Sequence, residues 1–322
     1  MSCPGSGRGG NMQERNFYFQ SQDGRTESHG MRWIPEGEVR AVVQICHGMS
    51  EYLARYRNFA AFLADRGVLV VGHDHLGHGG SIEERKDYGF FAEKNGNQIL
   101  IHDIHRVYQY TRKDFPDIPY ILLGHSMGSF LVRQYLCHFG SELDGAVLCG
   151  TGYYPYWLTR LGMMIAQGES ALWGNHYRSR LLLWMSFGSY NAKFHPNRTN
   201  FDWISRDPAV VDAFVRDPEC GFPFTVNGYY NLFRGMSKIV RPVDLARMPG
   251  KLPVLMIAGG RDPVGDFGRG VRKVENLFRQ VGMEQVKCIL YPEDRHEILN
   301  EPDRREVYED IWEWMQKNCL RG

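Results

Sequence analysis

The chain lacks the features that would send it across a membrane, along a secretory route or onto a nucleic acid. None of its apolar runs is long enough to span a bilayer as a helix. Residues 1–11 are rich in glycine and contain no apolar core of a secretory signal, so residues 1–13 are expected to be a disordered leader, with no export. Charge of one sign is not in excess: 38 Lys and Arg against 37 Asp and Glu leave a net +1, without the basic surplus a nucleic-acid binder needs. Cysteines are few and unclustered. Seven is an odd number, no spacing suggests a disulfide framework or zinc site, and Cys46, Cys137, Cys149 and Cys288 fall inside strand or helix patterns. Buried free thiols are expected, which suits a reducing compartment, the cytoplasm. The sequon Asn197-Arg198-Thr199 is then an accident of sequence.

What the chain does carry is an alternation of short β-rich runs and amphipathic helical patterns. Residues 16–21 and 30–35 flank a turn at Asp23-Gly24 and predict an antiparallel strand pair. Residues 39–46, 68–71, 120–123, 145–149, 254–258 and 286–291 predict six parallel strands joined by crossover helices. Tyr52, Tyr56, Phe59 and Leu63 mark one helix, with Ser50 as its expected N-cap; Val307, Ile311, Trp314 and Met315 mark the last. The pattern predicts an α/β chain with a mostly parallel, doubly wound sheet. It is broken once, between residues 153 and 249, far beyond the usual length of a connection. That segment is expected to be a helical cap on a core formed by residues 14–152 and 250–322. Its many aromatics and methionines, among them Tyr154, Trp157, Met163, Met164, Trp173 and Trp184, either build a small core of their own or wall a site beneath.

The chemistry converges on Gly124-His125-Ser126-Met127-Gly128. A strand runs into this pentapeptide and a helix leaves it, and the flanking glycines let the chain turn back past itself. Such a turn lifts the serine hydroxyl above the sheet edge, at the head of a helix. A hydroxyl is a poor nucleophile at neutral pH and needs a base, which needs an orienting group in turn. His296 follows the last strand and so reaches the edge where Ser126 stands. Asp262 follows the strand before it; Asp266 competes but is better explained as a helix N-cap, and Glu293 and Asp294 come too late in the chain. Oxyanion donors are expected from the amide of Met127 and, because Gly48 permits close approach, from that of Met49.

The loop Gly72-His73-Asp74-His75-Leu76-Gly77-His78-Gly79-Gly80 is dense in imidazole and carboxylate, a chemistry that suits metals. No downstream residues complete a coordination pattern, and a glycine-bent loop that satisfies nearby backbone groups is the expected role. Together with His47-Gly48, the elbow around Ser126 and Arg295-His296-Glu297-Ile298-Leu299-Asn300-Glu301, this loop resembles the monoacylglycerol lipase and lysophospholipase branch of the α/β-hydrolase fold, in its bacterial form. The resemblance implies a triad of Ser126, Asp262 and His296, oxyanion donors at Met49 and Met127, an apolar helical lid, a small-molecule lipid ester as substrate, and no metal or organic cofactor. The same fold hosts aminopeptidases, amidases, acyltransferases and binding proteins without turnover, so fold alone does not separate them. Residues 178–187 fit an interfacial helix that would give the cap peripheral membrane contact, and fit an inward-packed or dimer-facing helix as well.

Overall fold

The computed structural model describes residues 12–320. The expected leader lies outside them as far as residue 11, and Gln13 already belongs to a strand. One sheet contains β1 (Gln13–Gln20), β2 (Glu27–Ile34), β3 (Ala41–Cys46), β4 (Val68–His73), β5 (Tyr120–His125), β6 (Gly145–Cys149), β7 (Val254–Gly259) and β8 (Val286–Tyr291). The helices are α1 (Arg57–Ala64), α2 (Gly96–Asp114), α3 (Met127–Phe139), α4 (Tyr156–Trp173), α5 (Arg180–Phe187), α6 (Pro208–Arg216), α7 (Val226–Lys238), the single turn α8 (Pro242–Leu245), α9 (Arg269–Gln280) and α10 (Arg304–Asn318). Strand order is β1-β2-β4-β3-β5-β6-β7-β8. β1 and β2 form the antiparallel edge, and the other six strands run parallel.

The central strands β3, β5, β6 and β7 are buried along their whole length, as parallel strands covered on both faces must be. Their two-residue period divides side chains between two cores. On one face Val42, Leu122, Leu148 and Met256 join Ile104 of α2, Leu131 and Tyr135 of α3 and Phe278 of α9. On the other, Val43, Ile121, Val147 and Leu255 join Phe59 and Leu63 of α1 and Val307, Ile311 and Met315 of α10. Gln44 is the polar exception in β3. Its Nε2 donates to the Ile104 carbonyl at 2.9 Å and its Oε1 accepts from the Tyr120 hydroxyl at 2.6 Å, so its burial leaves neither end unpaired.

β3 has β4 on one side and β5 on the other, so the loops leaving the C-terminal ends of β3 and β5 part in opposite directions and open a crevice. The helices between β6 and β7 cover that end. α4 packs on α7, and α7 rests on α2 and α3. Trp203, Val211, Phe214 and Met236 form a third apolar cluster with Phe130 of α3.

Several local expectations need correction. Ser50 does not cap a helix: a 3₁₀ turn (Leu53–Tyr56) precedes α1, and the Ser50 hydroxyl donates to the Phe222 carbonyl at 2.6 Å. Ser50 sits at φ +55°, ahead of both helix starts, whose cap positions fall to Tyr52 and Tyr56. Cys46 and Cys149 are buried, but Cys137 and Cys288 are only half-buried. The aromatics and methionines of residues 153–249 differ in placement: Met163 is buried, Tyr154 and Phe187 line a cavity, Trp157, Met164 and Trp173 are 66%, 60% and 57% exposed, and Trp184 both lines the cavity and is 70% exposed.

Candidate active site

β5 ends at His125, and the Ser126 amide donates to the Cys149 carbonyl at 2.9 Å, carrying the sheet pairing one residue further. α3 begins at the next residue. Ser126 is thereby held at φ +52°, ψ −119°, a conformation that costs a residue with a side chain about 1–3 kcal/mol. The two glycines make this turn possible. A Cβ on Gly124 would stand 2.4 Å from the Gly128 carbonyl oxygen, and one on Gly128 would stand 1.9 Å from the Cys46 carbonyl oxygen. Among the described residues the Ser126 hydroxyl has no protein partner, and it opens on a cavity of about 860 Å³.

The loop after β8 brings His296 to the same cavity, and the loop after β7 places Asp262 behind it, with Nδ1 of the histidine 2.9 Å from Oδ2 of the aspartate. Asp262 is fully buried, and its Oδ1 accepts from the Val264 amide at 2.8 Å. A carboxylate at Nδ1 fixes the tautomer that leaves Nε2 as the free base. Asp266 is not brought to the histidine. It pairs with Arg269 at 2.8 Å, and it is not the expected N-cap either, because the chain reverses through positive φ at Asp266 and Phe267 and gives the cap position to Gly268. Met49 and Met127 both line the cavity beside Ser126, and among the described residues neither amide has a protein acceptor.

The histidine-rich loop braces this edge. Asp74 accepts from the amides of Leu53 and Gly80 at 2.8 and 2.9 Å and pairs with His29 at 2.8 Å. His47 Nε2 accepts from the His75 amide at 2.9 Å, and His78 Nε2 from the Ser50 amide at 3.2 Å. Burial drives His78 down to about 3, which keeps it a neutral acceptor.

Residues 37–303 match the family described as "Serine aminopeptidase, S33". The chain belongs to this family. It is 35% identical over 299 residues to the monoglyceride lipase homolog of Monkeypox virus, covering 88% of this chain and 92% of that protein. Over 283 residues it is 27% identical to the monoacylglycerol lipase of Mycolicibacterium smegmatis, covering 88% and 90%. A solved thermostable carboxyl esterase from Bacillus coagulans superposes with a TM-score of 0.89 at 30% identity, covering 96% of this chain and 99% of that one. The architecture is the α/β-hydrolase fold with a helical segment between β6 and β7.

Beside the serine of this hydrolase lies a buried polar network that sequence reasoning missed. Oε1 of Glu51 accepts from the Gly48 amide at 2.6 Å and the Tyr56 hydroxyl at 2.8 Å, and stands 3.1 Å from His125 Nδ1. Oε2 accepts from Arg55 at 2.6 Å, and Arg55 makes a two-point pair with Glu297, both contacts at 2.8 Å. His125 Nε2 stands 3.3 Å from the His296 carbonyl oxygen. The neighbours of Met49, Ser126 and His296 in the chain are therefore joined. Burial favours the neutral form of Glu51, but the His125 hydrogen bond and the Arg55 charge outweigh it and hold the carboxyl well below its ordinary range. Burial likewise depresses His125, and the Glu51 hydrogen bond and charge reverse this, leaving its pKa raised. The available signal was slight: Glu51 and Arg55 stand four apart, as exposed helical ion pairs do, and Glu297 adjoins His296.

Proposed function

We propose that this chain is a serine hydrolase of lipid-type carboxylic esters, those of a medium or long acyl chain with a small polar alcohol such as monoacylglycerol or lysophospholipid. Ser126 is the nucleophile, His296 the general base, Asp262 its orienting carboxylate, and the amides of Met49 and Met127 the oxyanion donors; residues 153–249 form the lid. The observation that carries this is the His296–Asp262 hydrogen bond at 2.9 Å beside an elbow serine that opens on a cavity walled by side chains such as Phe130, Trp203, Phe214 and Met236.

His296 Nε2 takes the Ser126 proton as Oγ attacks the ester carbonyl, and the oxyanion settles between the two amides. The imidazolium returns the proton to the departing alcohol as the C–O bond breaks, leaving the acyl group on Ser126 Oγ. Water, deprotonated by the same imidazole, then releases the fatty acid and restores the serine. The family's description favours a second reading, an aminopeptidase. Against it, Glu51 and Glu297 are the acidic side chains lining the cavity, and both are committed to Arg55, so neither is left free to hold a substrate ammonium.

The lid supplies a route for lipid. Trp157, Leu161, Met164 and Leu172 recur at helical spacing along one exposed face of α4, and Leu181 and Trp184 of α5 are exposed too, with Arg160 and Arg180 among them. Such a surface suits an anionic bilayer, with apolar groups at the acyl boundary and guanidinium groups at the head groups. Leu182, by contrast, is fully buried and holds α5 to the protein.

Incubation with monoacylglycerols, lysophospholipids, short esters and aminoacyl amides, with Ser126→Ala as blank, tests the assignment. Turnover of the lipid esters and fluorophosphonate labelling are expected of the wild type alone. Ester hydrolysis retained by Ser126→Ala, or preference for the amides, overturns the proposal.

A further inference from the structure

His296 lies in a loop, yet its neighbours on both sides are tied to one short stretch of the cap, residues 202–206. On the C-terminal side the Glu297 amide donates to the Ile204 carbonyl at 2.7 Å. On the N-terminal side the Arg295 amide donates to Oε1 of Glu301 at 2.8 Å. The same wholly buried carboxylate accepts from the Arg206 amide at 3.1 Å and the Ser205 hydroxyl at 3.0 Å. The Arg295 side chain returns the tie by donating to the carbonyls of Ser205, at 3.1 Å, and Asp202. Arg206 reaches over to Asp294 at 3.0 Å and to Asp303. Trp203, at the centre of the stretch, has its ring centroid 5.1 Å from that of His296.

Asp262 holds one nitrogen of the imidazole, which leaves the height and tilt of the ring to the backbone that carries it. A general base works only within about 0.5 Å and 10–20° of its productive geometry, and a loop does not reach that precision unaided. We infer that Glu301 is a positioning residue for His296, acting with Arg206 by clamping the histidine loop to residues 202–206, so that the cap is part of the frame that places the catalytic base. The inference rests on the proposed role of His296. A carboxylate suits this position because the amides of Arg295 and Arg206 and the Ser205 hydroxyl all donate to it, whereas a glutamine nitrogen in the place of Oε2 would face the Arg206 amide and, at 3.6 Å, the Arg206 Nε–H. The cap continues through α6 to a second tie, where the Gly221 amide donates to the Ser50 carbonyl at 2.9 Å and the Ser50 hydroxyl to the Phe222 carbonyl. Ser50 follows Met49, so one segment of the cap grips both the base loop and the oxyanion loop.

The test is Glu301→Gln in the full chain, with kcat and KM on a soluble short-chain ester and the downfield proton resonance of the His296 Nδ1–H. Displacing a catalytic group by about 1 Å costs about 10²-fold, so kcat should fall by about that factor while KM stays within about two-fold. The resonance should shift or vanish. Asp103→Asn is the control for stability alone; it removes a buried carboxylate that binds Ser21 and Gln22 at 2.6 and 2.8 Å on the hairpin, away from the cavity, and should leave kcat and the resonance in place. If Glu301→Gln does not fold, Arg206→Gln decides by the same readouts. A folded variant with kcat within about three-fold of wild type, a loss confined to KM, or equal losses in the Asp103→Asn control overturns the inference. Activity in Ser126→Ala would instead overturn the hydrolase assignment, and an inactive Ser126→Ala beside an unimpaired Glu301→Gln refutes this inference alone.

Discussion

Replacing Glu51 by glutamine removes one charge and keeps nearly the same shape. A glutamine carbonyl in the place of Oε1 still accepts from Gly48, Tyr56 and His125, and the amide nitrogen must then face Arg55, which now donates to Oε2 over 2.6 Å. Breaking a buried ion pair from one side costs about 3–5 kcal/mol. Arg55 keeps its two-point pair with Glu297, which puts the expected loss at the lower end, about 3 kcal/mol. For a chain of this length each kcal/mol moves Tm by about 2 °C, so Tm should fall by about 6 °C. Its pH dependence has a definite sign. The Glu51 pKa is depressed on folding, so its contribution is present above its ordinary value of 4.5 and is lost as pH falls through the folded value. The His125 pKa is raised, so its contribution is complete below 6.5 and is lost as pH rises through the folded value. The Tm gap between wild type and variant is therefore widest between about pH 4.5 and about pH 6.5, and narrows on either side. Circular dichroism melts across this range measure the gap directly. A variant within about 1 °C of wild type, or a gap that grows toward alkaline pH, refutes the reasoning.

Asp262→Asn should lower kcat by about 10⁴ with little change in KM, since an amide facing Nδ1 selects the tautomer that blocks Nε2, while Asp266→Asn should stay within about two-fold. Steady-state kinetics on a soluble ester separate the two, and a severe loss at Asp266 with a mild one at Asp262 would reverse the assignment. Gly128→Ala should abolish soluble expression, because its methyl would meet the Cys46 carbonyl at 1.9 Å; Gly168→Ala, with nothing within 4 Å on an α4 surface, should raise stability by up to about 1 kcal/mol in denaturant unfolding. The pair Trp157→Ser and Leu172→Asp should weaken co-sedimentation with anionic vesicles at least about tenfold, as two exposed apolar anchors of the cap are lost. Unchanged sedimentation would remove the lipid-facing role of α4.

The residues proposed for catalysis were legible because each follows a β-rich apolar run within a few residues, and a parallel sheet gathers such strand ends at one edge. Ser126 follows β5, Asp262 and His296 come shortly after β7 and β8, and the short-range pattern of Gly124 and Gly128 declares the turn. Ser50 was misjudged for the opposite reason: its loop is held by a contact to Phe222, 172 residues away, which no local pattern carries, and the helix starts later in the chain. Glu51 and Arg55 look like a solvated pair on a helix, and Glu301 and Arg206 like surface charges, until the burial of Glu51 and Glu301 and the bonds around them show what they hold. The sequence offered residues 178–187 as the lipid-facing stretch, but the exposed apolar face lies along α4, at Trp157, Leu161, Met164 and Leu172, because sequence does not say which face another element covers. This division has a consequence in the molecule itself. The turn that holds the proposed nucleophile, Ser126, is set by its own strand and helix, so changes in residues 153–249 should leave its backbone conformation intact. The proposed base, His296, stands in a loop bonded to residues 202–206, so if the clamp positions it, changes there should act on kcat even where the altered side chain faces away from the cavity.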